Sequence, residues 1–446
     1  MKRMNNTHYP FYFIASGLIS LLLGLFCGLL GGFQYVIPEF IKETLPFQTL
    51  RPLHTLFVVS WVLLTATGGV YYYLGQNNEA KLPNQNLIKT HLWVFILSGL
   101  GIAISYLFKN FAGKEYLEFP SYFYFPIVLG WILFGLTYFK TLVPTFKNWP
   151  VYYWMWATGI VLMIYHFTEA HLWLLPYFKA HFVQNVAMQW KAGGSYVGSW
   201  NMLVYGTAIY VMTKISKEER YAKSGKAFFF FFLGLTNLMF GWAHHVYIIP
   251  TASWIRYLAY GISMTEWIIL FSIIYDWKKN LSQKKKNEFA LAYQFMRLAD
   301  FWVFLNIILA LLISIPAINL FTHGTHITVA HSMGTTIGIN TLILLSSVTY
   351  ILELNNCLVP VKRIQIGLKI FNISFFLFWI SLLLMGIKKA HRTHFNQAIS
   401  FAQFQDSMHW FYVLFVFFGL GILVGLYLIV FELLINIKKH LSSSLV

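Results

Sequence analysis

The chain has 446 residues, 58% hydrophobic and 19% aromatic, with only 11% charged and a mean hydropathy of +0.61. This excludes a soluble globular domain and makes the bilayer its solvent. The formal net charge of +17 would suggest nucleic acid for a soluble protein, but here the Lys and Arg lie in loops and at the ends of the chain, where they set topology; nucleic acid is excluded as a partner.

After Lys2 and Arg3 the chain turns apolar near Phe11. That stretch is long and lacks a small-residue cleavage site, so it reads as a membrane helix and not a signal peptide. Apolar windows of about 20 residues recur about twelve times, at 11–33, 52–74, 88–107, 121–144, 150–177, 190–213, 227–249, 254–277, 301–320, 326–353, 365–387 and 408–435. They predict an all-α polytopic membrane protein of about 12 transmembrane helices, one transmembrane unit over 1–446. Cys27 and Cys357 fall in or beside these apolar stretches and offer neither a disulfide framework nor a CxxC metal knuckle.

The basic connections orient the spans. Lys214, Lys217, Arg220, Lys223 and Lys226 fill 214–226, and Lys278, Lys279, Lys284, Lys285, Lys286 and Arg297 fill 278–300. With Lys2, Arg3, Lys362, Arg363, Lys438 and Lys439 they share one side by parity, which puts both termini in the cytoplasm. A 388–407 loop with Lys388, Lys389 and Arg392 is the exception on the outer side, and Glu39-Phe-Ile-Lys-Glu43 is a candidate interfacial helix.

Topology then tests the histidines. The run Thr322-His-Gly-Thr-His-Ile-Thr-Val-Ala-His-Ser-Met333 opens the tenth window and carries His323, His326, His331 and Met333. Imidazole and thioether are ligands for haem iron and other transition metals, and a membrane helix excludes ionisable groups unless they work. His54 sits in the first turn of the second window, Gly241-Trp-Ala-His-His245 near the outer end of the seventh, and Glu266 within the eighth. By parity all four lie in the outer half of the membrane, and scattered core histidines have no reason to agree in depth. A metal site does.

Each residue also has a plainer reading. His54 follows Arg51 and Pro52 and could be interfacial; Met333 could be lipid-facing filler. Adjacent histidines on a helix point about 100° apart, so His244 and His245 share one metal only across a widened helix. Glu266 is costly at that depth unless it works, for instance as a proton carrier, or is a protonated carboxyl bonded to a neighbouring helix. His166, Glu169 and His171 read as a solvated loop, with a haem propionate or a calcium ion as alternatives, and His91, His391, His394 and His409 read as interfacial.

Together these residues resemble the catalytic subunit of haem–copper oxidases, in the branch that holds bacterial nitric oxide reductases and the C-family cytochrome c oxidases. Arg51-Pro-Leu-His-Thr55 followed by Tyr71-Tyr-Tyr-Leu74 is similar to the helix supplying one axial ligand of a low-spin haem. Val183-Gln-Asn-Val-Ala-Met-Gln-Trp190 is similar to the stretch that leads into the first metal-ligand helix, and Gly241-Trp-Ala-His-His-Val-Tyr247 to the paired-histidine motif of the non-haem metal. Thr322-His-Gly-Thr325 with Ala330-His331 is close to the nitric oxide reductase form of the haem-ligand helix, and the similarity spans nearly the whole chain in order and spacing.

The resemblance implies two b-type haems. His54 and Met333 would hold the low-spin haem, His331 the high-spin haem, and His244 with His245 a non-haem iron or copper. Glu266 falls where nitric oxide reductases carry a glutamate near that metal, and 301–320 lacks the tyrosine of C-family oxidases. The resemblance therefore implies nitric oxide reduction, with a C-family-like terminal oxidase or a non-catalytic haem-binding paralogue, serving electron transfer or gas binding, as alternatives. A transporter is disfavoured because no paired broken helices appear in the two halves. With no CxxCH in the chain, electrons would come from a cytochrome c-type or cupredoxin subunit or from quinol. The setting implied is the bacterial inner membrane.

Three positions depart from the family pattern. The first histidine of the non-haem metal falls on Gly193 or Gly194, and a following glutamate on Val197. The second axial histidine is Met333, a sound ligand that favours ferrous iron. The propionate-binding Trp-x-Arg becomes Trp410-Phe-Tyr412, which leaves Lys389 or Arg392 as substitute cations.

Overall fold

The computed structural model describes residues 8–76, 84–112, 114–265, 274–357 and 361–443. Every regular element among these residues is helical. The long ones are α1 (Tyr9–Val36), α2 (Phe47–Gln76), α3 (Gln85–Leu107), α4 (Tyr124–Leu142), α5 (Val151–Glu169), α6 (Phe182–Ser216), α7 (Gly225–Phe240) and α8 (Ser253–Ser263). After them come α9 (Ala290–Ser314), α10 (His326–Met333), α11 (Leu342–Leu354), α12 (Val361–Phe395) and α13 (Phe401–Ser443).

Nine candidate spans among the described residues are long and apolar enough to cross a membrane, so the chain is an all-helical, multi-pass membrane protein. α5 and α6 are helices too, but their Tyr, Trp, Gly and Ser content makes them less apolar, and they pack along each other inside the bundle. The eighth apolar window holds α8 and a helix at 274–280, with Glu266 and its neighbours outside the described residues.

Local chemistry sets several boundaries. Asn84 accepts from the backbone N–H groups of Asn86 and Leu87 at the start of α3, and Ser224 accepts from that of Ala227 at the start of α7. The first N–H groups of α9 are satisfied from afar: Glu353 accepts from Leu291 N at 2.9 Å and Ala292 N at 3.3 Å. α6 ends at Lys217, which is left-handed at φ 55°.

In lipid, helix association needs close backbone approach and satisfied polar groups more than apolar burial. α1 meets α2 through Gly24 and Gly28; a Cβ at 24 would lie 2.9 Å from Val58, and one at 28 would lie 2.6 Å from the His54 ring. α12 packs along α13, α13 against α1, and α9 and α6 against α11. One large core runs through these contacts, with Trp61, Trp131, Trp156, Trp277 and Trp302 fully buried in it.

Three expectations change. Residues 39–43 form turns, not a helix. The 388–407 loop shrinks to 396–400, because α12 continues through Lys388, Lys389 and Arg392 to Phe395. The tenth window is not a uniform α-helix: Gly334–Thr341 is a π-helical stretch between α10 and α11.

Candidate functional site

The site builds from α2. His54 is one turn in, and its Nδ1 lies 2.7 Å from the Gly24 carbonyl of α1. As a donor, that nitrogen fixes the tautomer and leaves Nε2 as the ligand atom, the arrangement that iron-bound imidazoles use. Gly28 makes room for the ring, since any Cβ there would collide with it. Both features fit a haem ligand.

One turn earlier on α2, Arg51 is paired with Glu118, Nη2 to Oε1 at 2.5 Å, and lies 3.5 Å from Glu115. Both carboxylates come from the α3–α4 connection. Burial raises the Glu118 carboxyl above its ordinary range, and Arg51 pulls the other way. This pairing ties the α3–α4 connection to the His54 turn. Nothing in the local pattern around His54 announces it.

On α10, Thr325 caps the helix by accepting from the Ile327 N–H at 3.2 Å. His331 is half-buried and Met333 packs against the main core. Two residues apart on a helix means about 200° of rotation, so the two side chains leave opposite faces. His323 lies just before the helix, and burial holds its imidazole below the ordinary range, favouring the neutral, ligand-competent form.

The paired histidines differ from expectation. After α7 the chain tightens into a 3-10 helix at Gly241–Val246, so the His244–His245 stretch is narrowed, not widened. The Asn237 side chain occupies the space a Cβ at Gly241 would need, and the His244 ring is hydrogen-bonded to the Gly241 backbone. His244 lies within electrostatic reach of His331 and His323. The fold therefore brings the 3-10 turn after α7 to the start of α10. The His245 side chain and all of Glu266 lie outside the described residues.

The non-haem metal fits less well. At Gly193 an added Cβ would meet nothing within 4 Å. Among the described residues no group of three or more His, Cys, Asp or Glu side chains is arranged to hold a metal ion.

Nearby, the supposed solvated loop is buried. His166, Glu169 and His171 are all buried. His166 Nδ1 lies 3.1 Å from Glu169 Oε2, and Lys191 of α6 pairs with the same carboxylate. His171 Nδ1 lies 2.8 Å from the Phe167 carbonyl. The missed signal was Lys191 itself, a cation in an apolar window that demands a carboxylate partner.

The proposed propionate cations are engaged elsewhere. Lys389 donates to the Gly324 carbonyl at 2.8 Å, and Arg392 donates to the Ile399 carbonyl and lies over the Phe401 and Phe404 rings. Tyr412 donates to Gln405 Oε1 at 2.5 Å.

Comparison with known proteins agrees with this geometry. The chain is 22% identical over 353 residues to a nitric oxide reductase subunit from Stutzerimonas stutzeri, covering 72% of this chain and 70% of that protein. Its fold matches a haem–copper terminal oxidase, solved by cryo-electron microscopy as a dimer, with a TM-score of 0.74 at 14% identity over 96% of this chain and 84% of that one. The family model described as "Cytochrome C and Quinol oxidase polypeptide I" matches residues 10–421, and the chain belongs to that family, haem–copper oxidase subunit I.

Proposed function

We propose that this protein is a respiratory membrane oxidoreductase of the nitric oxide reductase type. It would convert two nitric oxide molecules, two electrons and two protons to nitrous oxide and water. The observation that carries this reading is the meeting of His244 with His331, which puts a non-haem ligand beside a haem ligand. When bound, the haems supply the one-electron chemistry.

The residues divide the work. His54 and Met333 hold the low-spin haem, and the Gly24 carbonyl keeps the His54 ring in its ligand tautomer. His331, leaving the other face of α10, holds the high-spin haem. His244 and His245 are the remaining metal donors, but the described donor set is incomplete, so no step is assigned to that metal. Glu266 is the candidate proton donor or substitute ligand. Electrons arrive from a cytochrome c-type or cupredoxin partner, or from quinol, at the end of the bundle that carries His54. The basic connections place that end on the outer face of a bacterial inner membrane, with both termini cytoplasmic.

A second reading, a haem relay without gas reduction, is favoured by the open space at Gly193. Elemental analysis alongside a pyridine haemochrome assay separates the readings. Iron in excess of two b haems supports the reductase. Copper beside two haems points to oxygen reduction instead. Iron equal to haem with no copper leaves the relay.

A further inference from the structure

The π-helical stretch Gly334–Thr341 begins directly after Met333. Such segments are rare and widen the helix to i→i+5 bonding. Here the Thr341 hydroxyl donates to the Thr336 carbonyl, five residues back, at 2.9 Å. Three other helices grip the stretch through polar side chains. From α2, the fully buried Trp61 donates from Nε1 to Thr341 Oγ1 at 3.1 Å. Towards α6, the buried Asn340 donates to Asn201 Oδ1 at 3.0 Å. From α9, Asn306 donates to Thr335 Oγ1 at 2.9 Å, and its side chain fills the space above Gly334.

The spacing gives this clamp a purpose. His54 and Trp61 are seven residues apart on α2, about 20° from the same face. Met333 and Thr341 are eight residues apart, which in an unbroken α-helix would separate them by about 80°. A π-turn absorbs one extra residue, so eight residues cover the angle of seven. Met333 and Thr341 then line up on one face as His54 and Trp61 do on the other helix, with the Trp61–Thr341 bond joining the two faces.

We infer that Trp61, Asn201 and Asn306 are positioning residues that hold the π-turn in register and thereby aim Met333 at the face of α2 carrying His54. This rests on the reading of His54 and Met333 as the axial pair. The clamp touches neither ligand; it acts by fixing the rotation of α10 relative to α2.

The test is spectroscopic. In the purified oxidised protein, methionine ligation gives a near-infrared sulfur-to-iron charge-transfer band, and the midpoint potential of the low-spin haem is read in parallel. Thr341→Val and Trp61→Phe should keep full haem content, weaken or shift that band, and lower the potential. Thr341→Ser, which restores the hydroxyl, should return both to wild type, which simple destabilisation would not do. An unchanged band and potential in both Thr341→Val and Trp61→Phe would overturn the inference while leaving the axial pair standing. A wild-type protein with low-spin haem but no such band would overturn the axial pair, and the inference with it.

Discussion

Two regions of the bundle carry ligand-type residues and are built differently. On α2 and α10, each proposed axial ligand is backed by a specific device: a backbone carbonyl and a glycine pocket for His54, a three-helix clamp below Met333. In the region from α5 to the 3-10 turn after α7, His244 is held, but the position expected to supply another imidazole is a glycine facing open space. Beside it stands a buried ion pair, Lys191 with Glu169, bonded on to His166. The first region is organised to hold iron at a set potential; the second has exchanged a metal ligand for a charged cluster. The difference locates divergence in the gas-reducing half and leaves the electron-carrying half intact.

The largest effect that would break this comparison is His54→Ala. With no replacement imidazole in that turn of α2, the low-spin haem should be lost entirely, read as one b haem fewer in the haemochrome assay and disappearance of the low-spin bands. Retention of both haems would remove His54 from the site. His244→Ala sharpens the other side. Both haem spectra and electron uptake should persist while nitric oxide consumption falls to background. If consumption persists at the wild-type rate, the second region has no role in the reaction.

Lys191→Met probes the charged cluster. It leaves the Glu169 carboxylate buried with only His166 for a partner, and breaking a buried pair costs about 3–5 kcal/mol. The loss should show as a lower thermal midpoint in detergent, with the haem spectra unchanged below the transition. Glu169→Gln in the same background should recover part of it, because the unpaired charge is gone. Gly28→Ala is milder. The added methyl would lie 2.6 Å from His54 Nδ1, so the ring must shift, at a cost of about 1–3 kcal/mol for overpacking. A shifted low-spin band at unchanged haem content is expected.

Much of this was legible in the residues themselves. Hydropathy periods gave helices at the expected windows, and parity of the basic loops grouped His54, His244 and His331 at one depth. The π-turn was not legible, because Gly334-Thr-Thr-Ile-Gly338 is as consistent with an ordinary small-residue membrane helix as with a widened one. What decides it is Trp61, whose partner Thr341 is far away in sequence. The Arg51–Glu118 pair was hidden for the same reason: an interfacial Arg and a loop carboxylate announce nothing until the loop folds over the helix. The solvated-loop reading of His166 and Glu169 failed because it ignored the unpaired cation at Lys191, whose partner had to come from another helix.

Gly193→His has the smallest expected effect on stability and addresses the comparison most directly. Nothing lies within 4 Å of a Cβ at that position, so the substitution should change stability by no more than about 0.5 kcal/mol, as for surface changes away from special features. Replacing Gly within a helix also recovers backbone entropy. If the second region is a metal centre weakened by one missing donor, the added imidazole should raise the iron or copper retained after dialysis against a chelator, because affinity follows the number of suitable ligands. Nitric oxide consumption should rise with the retained metal. If retained metal stays at the wild-type level, the space at Gly193 does not open towards His244. The missing donor then belongs at Gly194, where the same substitution should be made.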